Sequence, residues 1–390
     1  MRLPKPQNAD SLKMHDLIHN EKVWLSPPHM SGNEQFYIEQ AIETNWVSSI
    51  GENINIFEDL LQEYIANVHV AVLTSGTAAL HLALNILGVQ SGDEVLCQSF
   101  TFAASANPIK YLGATPIFID SERDTWNICP VLLEKAILER IANGKKPKAI
   151  VAVHLYGMPY KIEEITEISK KYAIPVVEDS AEALGSTWKG EKCGGFGELG
   201  VLSFNGNKII TTSGGGALVC KNVELKEKAI YLASQARDEH PHYQHSRIGY
   251  NYRMSNILAG IGRGQMEVLE SRILARRTIF NRYFQELSDN SKIEFLKEPE
   301  GYYSNRWLSC IVLPTLEIRE AIRLELLKNN IESRPLWKPM HMQPIFQECL
   351  TYTNGTSEDL FNRGLCLPSG SNLSQSDLKK IISIIKNIVS

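Results

Sequence analysis

No uncharged apolar run in this sequence approaches the ~20 residues that a bilayer-spanning helix needs. The opening residues, Met1-Arg2-Leu3-Pro4-Lys5-Pro6, lack the apolar centre of a secretory signal. Cys-x-x-Cys pairs are missing too: the seven cysteines (97, 129, 193, 220, 310, 349 and 366) are odd in number and scattered. That spacing suits neither a zinc site nor a disulfide framework, so no metal is expected, and free thiols in a reducing cytoplasm are. Charge of one sign is scarce. The 40 Lys+Arg against 44 Asp+Glu leave a net −4, which gives no whole-protein field for nucleic acid or a membrane surface. Nor is there a Gly-x-Gly-x-x-Gly between a strand and a helix, which argues against a nicotinamide-dependent dehydrogenase. Gly214-Gly215-Gly216 is not followed by Gly-Lys-Ser/Thr, so it reads as a tight turn with close backbone approach, not a phosphate loop.

What is present is an ordinary globular composition, 43% hydrophobic and 22% charged over 390 residues, enough for a large domain and a smaller one. The stretch to Ser31 is polar and proline-punctuated and reads as an arm, and helical spacing follows over 33–46 and 53–66. From residue 70 short apolar runs alternate with amphipathic segments. Strands are expected at 70–73, 94–97, 115–119, 149–153 and 176–178, with helices at 78–87, 103–112, 130–142 and 161–172 between them. Further strands are expected at 200–204, 216–220 and 307–313. This alternation predicts a mostly parallel, seven-stranded sheet covered on both faces, in a large α/β domain over 1–255. One long amphipathic segment, 256–287, leads into a smaller α+β domain over 256–390. Ser374 with Asp377 three residues on resembles a capping box for a last helix.

Four places carry chemistry. Asp179 ends the strand-like Val176-Val177-Glu178, where open α/β sheets bind ligands. It suits a metal, a catalytic histidine, a protonated heteroaromatic nitrogen or a plain helix cap. Lys208 sits in a loop after another strand with Ser203 and Asn205 nearby, and a desolvated lysine is a nucleophile toward an aldehyde. Thr74-Ser75-Gly76-Thr77 leads from a strand into a helix, whose free amides suit a phosphate as well as an ordinary cap. Phe102 adds an aromatic face. Together they form the parts list for pyridoxal phosphate: a phosphate cradle, ring support, an acid for the pyridine nitrogen and a lysine.

The same residues, in the same order, resemble the DegT/StrS-type sugar-nucleotide aminotransferases, of the aspartate-aminotransferase fold (fold type I). The carriers are Ser75–His81, Ser99–Ala104, Glu178–Ala181, Ser203-Phe204 with Lys208, and Gly249-Tyr250-Asn251-Tyr252-Arg253-Met254, covering the chain from about Leu25 onward. The resemblance implies that Gly76, Thr77 and Ser203 bind the cofactor phosphate, that Phe102 stacks on the ring, and that Asp179 keeps the ring nitrogen protonated. It makes Lys208 the catalytic residue, holding pyridoxal 5'-phosphate and moving the proton, with pyridoxamine 5'-phosphate as the intermediate. Asn205 joins the same cofactor site. Asn251 would reach the phosphate of a neighbouring subunit, which implies a homodimer with shared sites. Glu182 departs from the commoner Gln or His near the cofactor hydroxyl, and Ser213-Gly214-Gly215-Gly216 from the commoner Gly-Glu-Gly-Gly. A dehydratase of the same fold resembles the family with histidine in place of this lysine, so Lys208 speaks against it.

Within the family, Leu25–Gly32, Phe204–Lys208 and Leu336–His341 resemble enzymes that aminate carbon 4 of UDP-2-acetamido-2,6-dideoxy-4-keto-hexose with L-glutamate as donor, for bacterial surface glycans and glycoproteins. Ser26, His29, Asn207, Arg334, Trp337, Lys338 and His341 are then the expected sugar-nucleotide contacts, because guanidinium, ammonium and aromatic groups suit a diphosphate and a sugar ring. A GDP-perosamine-type enzyme, a carbon-3 transaminase and a non-catalytic sugar-binding relative remain alternatives.

Overall fold

The computed structural model describes residues 22–389, so the first part of the expected arm lies outside the described residues. The central sheet has eight strands. Their order is His69–Leu73, Gly216–Cys220, Leu199–Ser203, Val176–Asp179, Ala149–Val153, Glu94–Gln98, Thr115–Ile119 and Thr351–Tyr352. Gly216–Cys220 runs antiparallel to both its neighbours, while the pairs beyond Leu199–Ser203 are parallel. The expected seven strands are all there. The eighth, Thr351–Tyr352, is a two-residue strand donated by the C-terminal part of the chain, too short to leave a pattern in the sequence.

Alternation of side chains puts Ala71 and Leu73 in one core cluster and Val70 and Val72 in another, so both faces are buried. Helix Gly76–Ile86 covers the first face through Leu80 and Leu84. On the other face Phe57 and Leu61 of helix Glu52–Ile65 meet Val70, Val72 and Val219. The C-terminal part forms an antiparallel sheet of Glu294–Phe295, Ser309–Val312, Gly364–Leu367 and Arg334–Pro335. Helices Leu316–Lys328 and Gln375–Val389 bury Leu326, Ile381 and Ile385 against it.

Two expectations are refined. The segment 256–287 is two helices, Asn256–Met266 and Leu269–Leu287, and Val268 between them has a non-helical φ of −114°. The reason is packing: a Cβ at Gly262 would lie 2.6 Å from the Phe57 ring, and one at Gly264 2.8 Å from the Glu34 amide. Glycines let the first helix lie close against Glu34–Glu43 and Glu52–Ile65, and the second turns away to the smaller sheet. The helix expected at 103–112 is a 3-10 turn, Ala103–Ser105, followed by a short helix, Asn107–Tyr111. Half of the expected capping box forms: the Asp377 amide donates to Ser374 Oγ at 3.1 Å, while the Asp377 carboxylate accepts from the Ser374 hydroxyl and not from its amide. All seven cysteines are free.

Candidate active site

The carboxyl ends of the parallel strands converge on a cavity of about 290 Å³, at the small end of ligand-site volumes. At one end lies the first turn of helix Gly76–Ile86. Ser75 is extended, and its hydroxyl accepts from the Ala78 amide as an N-cap. The amides of Gly76 and Thr77 have no acceptor within the helix, and both residues line the cavity. Crowding requires the glycines around this turn. A Cβ at Gly76 would come 3.1 Å from Ser203 Cβ, and one at Gly216 only 2.3 Å from the Gly76 amide nitrogen. The expected close approach of the Gly214–Gly216 turn is thus what seats Ser203 beside the helix end.

Asp179 closes the cavity floor. It ends its strand 4% exposed, with Ser105 Oγ donating to Oδ2 at 2.6 Å and the Ala181 amide to Oδ1 at 3.2 Å. Burial of a carboxylate costs several kcal/mol, against roughly 1.5–3 kcal/mol for each hydrogen bond to a charged group. Burial wins here and holds the Asp179 carboxyl above the usual range, opposed by Ser105, the Ala181 amide and the Lys208 charge.

Lys208 Nζ stands 3.6 Å from Glu182 Oε1 and 4.2 Å from the centre of the Trp307 ring. Glu182 is buried, which raises its carboxyl above the usual range despite the Lys208 charge and the Tyr156 amide, which donates at 2.7 Å. The loop carrying Lys208 is fastened just before it. The Asn207 carbonyl accepts from Ser26 Oγ at 2.7 Å and from Trp307 Nε1 at 2.6 Å, and Arg276 donates to Ser26 Oγ and to the Trp307 carbonyl.

Directly behind Asp179, Glu178 points to the opposite side of the strand. It accepts from His154 Nε2, Ser180 Oγ and the amides of Gly194, Phe196 and Gly197. Because the Tyr160 amide can only donate, His154 Nδ1 accepts and Nε2 carries the proton. Burial opposes ionisation of Glu178, but the His154 ring and the amides overcome it and hold the carboxyl below the usual range. His154, Glu178 and Cys193 lie close enough to ligate a metal, yet the carboxylate is saturated with donors, so the cluster is a structural network.

Of the residues singled out in the sequence, Gly76, Thr77, Phe102, Asp179, Glu182, Ser203, Asn205, Asn207, Lys208 and Trp337 line this cavity. A second cavity of about 530 Å³ adjoins it, with Phe102, Asn207, Trp307 and Trp337 shared and Trp24, Ser26 and Arg334 among those added. His29, Lys338 and His341 line neither cavity. The His29 ring contacts Ser371 Oγ and Arg272, and His341 is held between Ser99 Oγ and Glu358. Asn251 is exposed and bridges to Ser234, outside its own chain's cavity. Sequence reading missed Ser105, Trp307 and Tyr156. Ser105 lies one position past the Ser99–Ala104 run, whereas Trp307 was visible only as the start of a strand. Tyr156 adopts φ 54°, uncommon for a bulky residue, and links Glu182 to the Trp337 amide, which donates to its hydroxyl at 2.8 Å.

A model of the DegT/DnrJ/EryC1/StrS aminotransferase family matches residues 28–386. The chain belongs to that family. It is 50% identical over 373 residues (95% of this chain, 96% of the relative) to EpsN of Bacillus subtilis, named as a pyridoxal phosphate-dependent aminotransferase. GDP-perosamine synthase of Escherichia coli O157:H7 is 39% identical, with 93% and 97% of the two chains covered. The UDP-4-amino-4,6-dideoxy-N-acetyl-beta-L-altrosamine transaminase of Campylobacter jejuni is 33% identical, with 87% and 90% covered. Among solved structures, the sugar aminotransferase Spr1654 of Streptococcus pneumoniae, in its PLP form, superposes with a TM-score of 0.88 at 28% identity over 94% of this chain and 98% of its own. This chain is a pyridoxal-phosphate-dependent sugar aminotransferase. Its cavity fits that cofactor: a cation, a free helix end and a buried carboxylate with two donors among the described residues surround one space.

Proposed function

We propose that this enzyme moves the amino group of L-glutamate to carbon 4 of a UDP-2-acetamido-2,6-dideoxy-4-keto-hexose, giving a UDP-4-amino-sugar for bacterial surface glycan or glycoprotein biosynthesis. The observation that carries the reading is the convergence of Asp179, Lys208 and the Ser75–Thr77 turn on one cavity that opens toward a second, aromatic one. Gly76, Thr77 and Ser203 would hold the cofactor phosphate, with Phe102 against the ring and Asn205 beside it. Asp179 would hold a proton at the ring nitrogen. The bound cofactor supplies an electron-withdrawing ring that stabilises negative charge at the substrate carbon.

Lys208 Nζ is the group we assign to carrying the proton to and from that carbon, with the Glu182 carboxylate 3.6 Å away as its counter-charge. Trp307, with its ring centre 4.2 Å from Nζ, shields the amine from water. The outer cavity, walled by Trp24, Trp337 and Arg334, has the apolar rings and guanidinium that suit a sugar nucleotide. Exposure of Asn251 outside its own chain's cavity supports its contribution to a partner's phosphate site in a homodimer. No helix among the described residues is long and apolar enough to cross a membrane, and seven free thiols support a cytoplasmic enzyme.

A second reading, a GDP-linked substrate, is favoured by the 39% identity to GDP-perosamine synthase. Measuring kcat/KM of the glutamate-loaded enzyme on UDP-linked and GDP-linked 4-keto-6-deoxyhexoses decides between them. We expect the UDP-acetamido sugar to be preferred at least about tenfold, an increment of ~1.4 kcal/mol. A preference of that size for the GDP sugar would replace the first reading by the second.

A further inference from the structure

Ser105, which holds Asp179, ends the 3-10 turn Ala103–Ser105 between the strand Glu94–Gln98 and the helix Asn107–Tyr111. Its side chain is 1% exposed, as is that of Thr101, whose Oγ1 lies 2.7 Å from Ser105 Oγ. A hydroxyl has one proton to give. Facing an ionised carboxylate, Ser105 spends its proton on Asp179, so Thr101 must be the donor in the second bond. The direction Thr101 to Ser105 to Asp179 is therefore forced, and each bond polarises the next.

The Ala181 amide donates to the other oxygen, Oδ1, at 3.2 Å, so among the described residues Ser105 alone donates to Oδ2, and the remaining neighbours do not replace it there. Cys97 turns its thiol toward the carbonyls of Gln98 and Ser105. His154 gives its proton to Glu178, Glu182 is itself an acid, and Lys208 stands beside Glu182. We propose that Thr101 and Ser105 form a hydroxyl relay that keeps Asp179 charged and aimed into the cavity, and so act as positioning residues for the cofactor's ring nitrogen. This rests on the reading that Asp179 meets that nitrogen. The relay works through the carboxylate, so removing its charge makes the relay irrelevant.

The test is a double-mutant cycle on pyridoxal phosphate affinity, read by equilibrium titration of the cofactor-free protein, with its melting temperature recorded alongside. Ser105→Ala is expected to raise the apparent dissociation constant roughly ten- to hundredfold, the loss of one hydrogen bond to a charged group. In the Asp179→Asn background the same substitution is expected to change it by less than about threefold. Thr101→Val should weaken binding in the same direction by a smaller factor, and Ser105→Thr should restore it. Equal factors for Ser105→Ala in both backgrounds, or no effect at all, would overturn the relay and leave Ser105 a packing residue. Unchanged affinity on Asp179→Asn alone would instead overturn the reading of Asp179 on which the relay rests.

Discussion

Glu178 and Asp179 are neighbours on one strand, both buried, and their surroundings could hardly differ more. On one side of the sheet, five donors saturate Glu178 and hold it ionised. On the other, Asp179 has two donors, and burial pushes its carboxyl up. A carboxylate offers about four lone-pair sites. Glu178 has spent them on the fold, tying Val176–Asp179 to the segment 194–197, whereas Asp179 keeps capacity for something that enters the cavity. Unspent hydrogen-bonding capacity beside a cavity marks a binding residue, and saturation marks a structural one.

The largest effect expected is on the cavity side. Lys208→Ala should lower turnover by a factor near the top of the roughly 10²–10⁴ range for loss of a positioned acid–base group. Stopped-flow measurement of the glutamate half-reaction checks this, with the melting temperature expected to hold. On the structural side the signs reverse. Glu178→Gln should cost about 3 kcal/mol of unfolding free energy, because amides and an imidazole lose a charged acceptor. If urea denaturation shows Glu178→Gln to be as stable as the parent protein, the division between the two sides fails.

The comparison sharpens with pH. Glu178 has a depressed carboxyl pKa in the folded protein, so its contribution to stability is present above the unfolded value of ~4.3 and is lost as pH falls through its folded pKa. Asp179 is raised, so in the cofactor-free protein its contribution is fully present below the unfolded ~3.9 and is lost as pH rises through its folded pKa. Melting temperatures of the cofactor-free variants should therefore diverge from the parent in opposite directions with rising pH. Glu178→Gln should fall further behind the parent, and Asp179→Asn should gain on it.

The sheet was legible because strands buried on both faces leave apolar runs and their connecting helices leave a 3.6-residue period, as at 149–153 and 162–172. Thr351–Tyr352 was not, since two residues carry no period. Lys208, Asp179 and the Ser75–Thr77 turn could be read because each sits at a strand or helix end where its chemistry has a local reason. Ser105 and Trp307 reach the site only through tertiary packing. Ser105 closes a one-turn 3-10 helix, and Trp307 comes 99 residues after the lysine it covers, following Arg306 at φ 53°. His29 and His341, though chemically suited to a phosphate, are committed to Ser371, Arg272, Ser99 and Glu358, which no local pattern could reveal.

The same contrast of spent and unspent capacity gives the smallest prediction, at the junction of the two cavities. Trp337 Nε1 is buried and has no acceptor among the described residues, while the Trp337 amide is bonded to Tyr156 and its ring stacks 6.0 Å from the Tyr156 ring. An orphaned indole donor costs more inside a protein than in water, so a ligand oxygen is the natural acceptor where the ring lines both cavities. Phenylalanine keeps an aromatic ring there and removes only the donor. Trp337→Phe should therefore raise KM for the nucleotide sugar about three- to tenfold, the worth of one neutral hydrogen bond, with kcat and the KM for glutamate unchanged. Steady-state kinetics with each substrate varied in turn checks this. A fall in kcat at constant KM would place the indole with the chemistry of the inner cavity, and an equal rise in both KM values would make it a general wall.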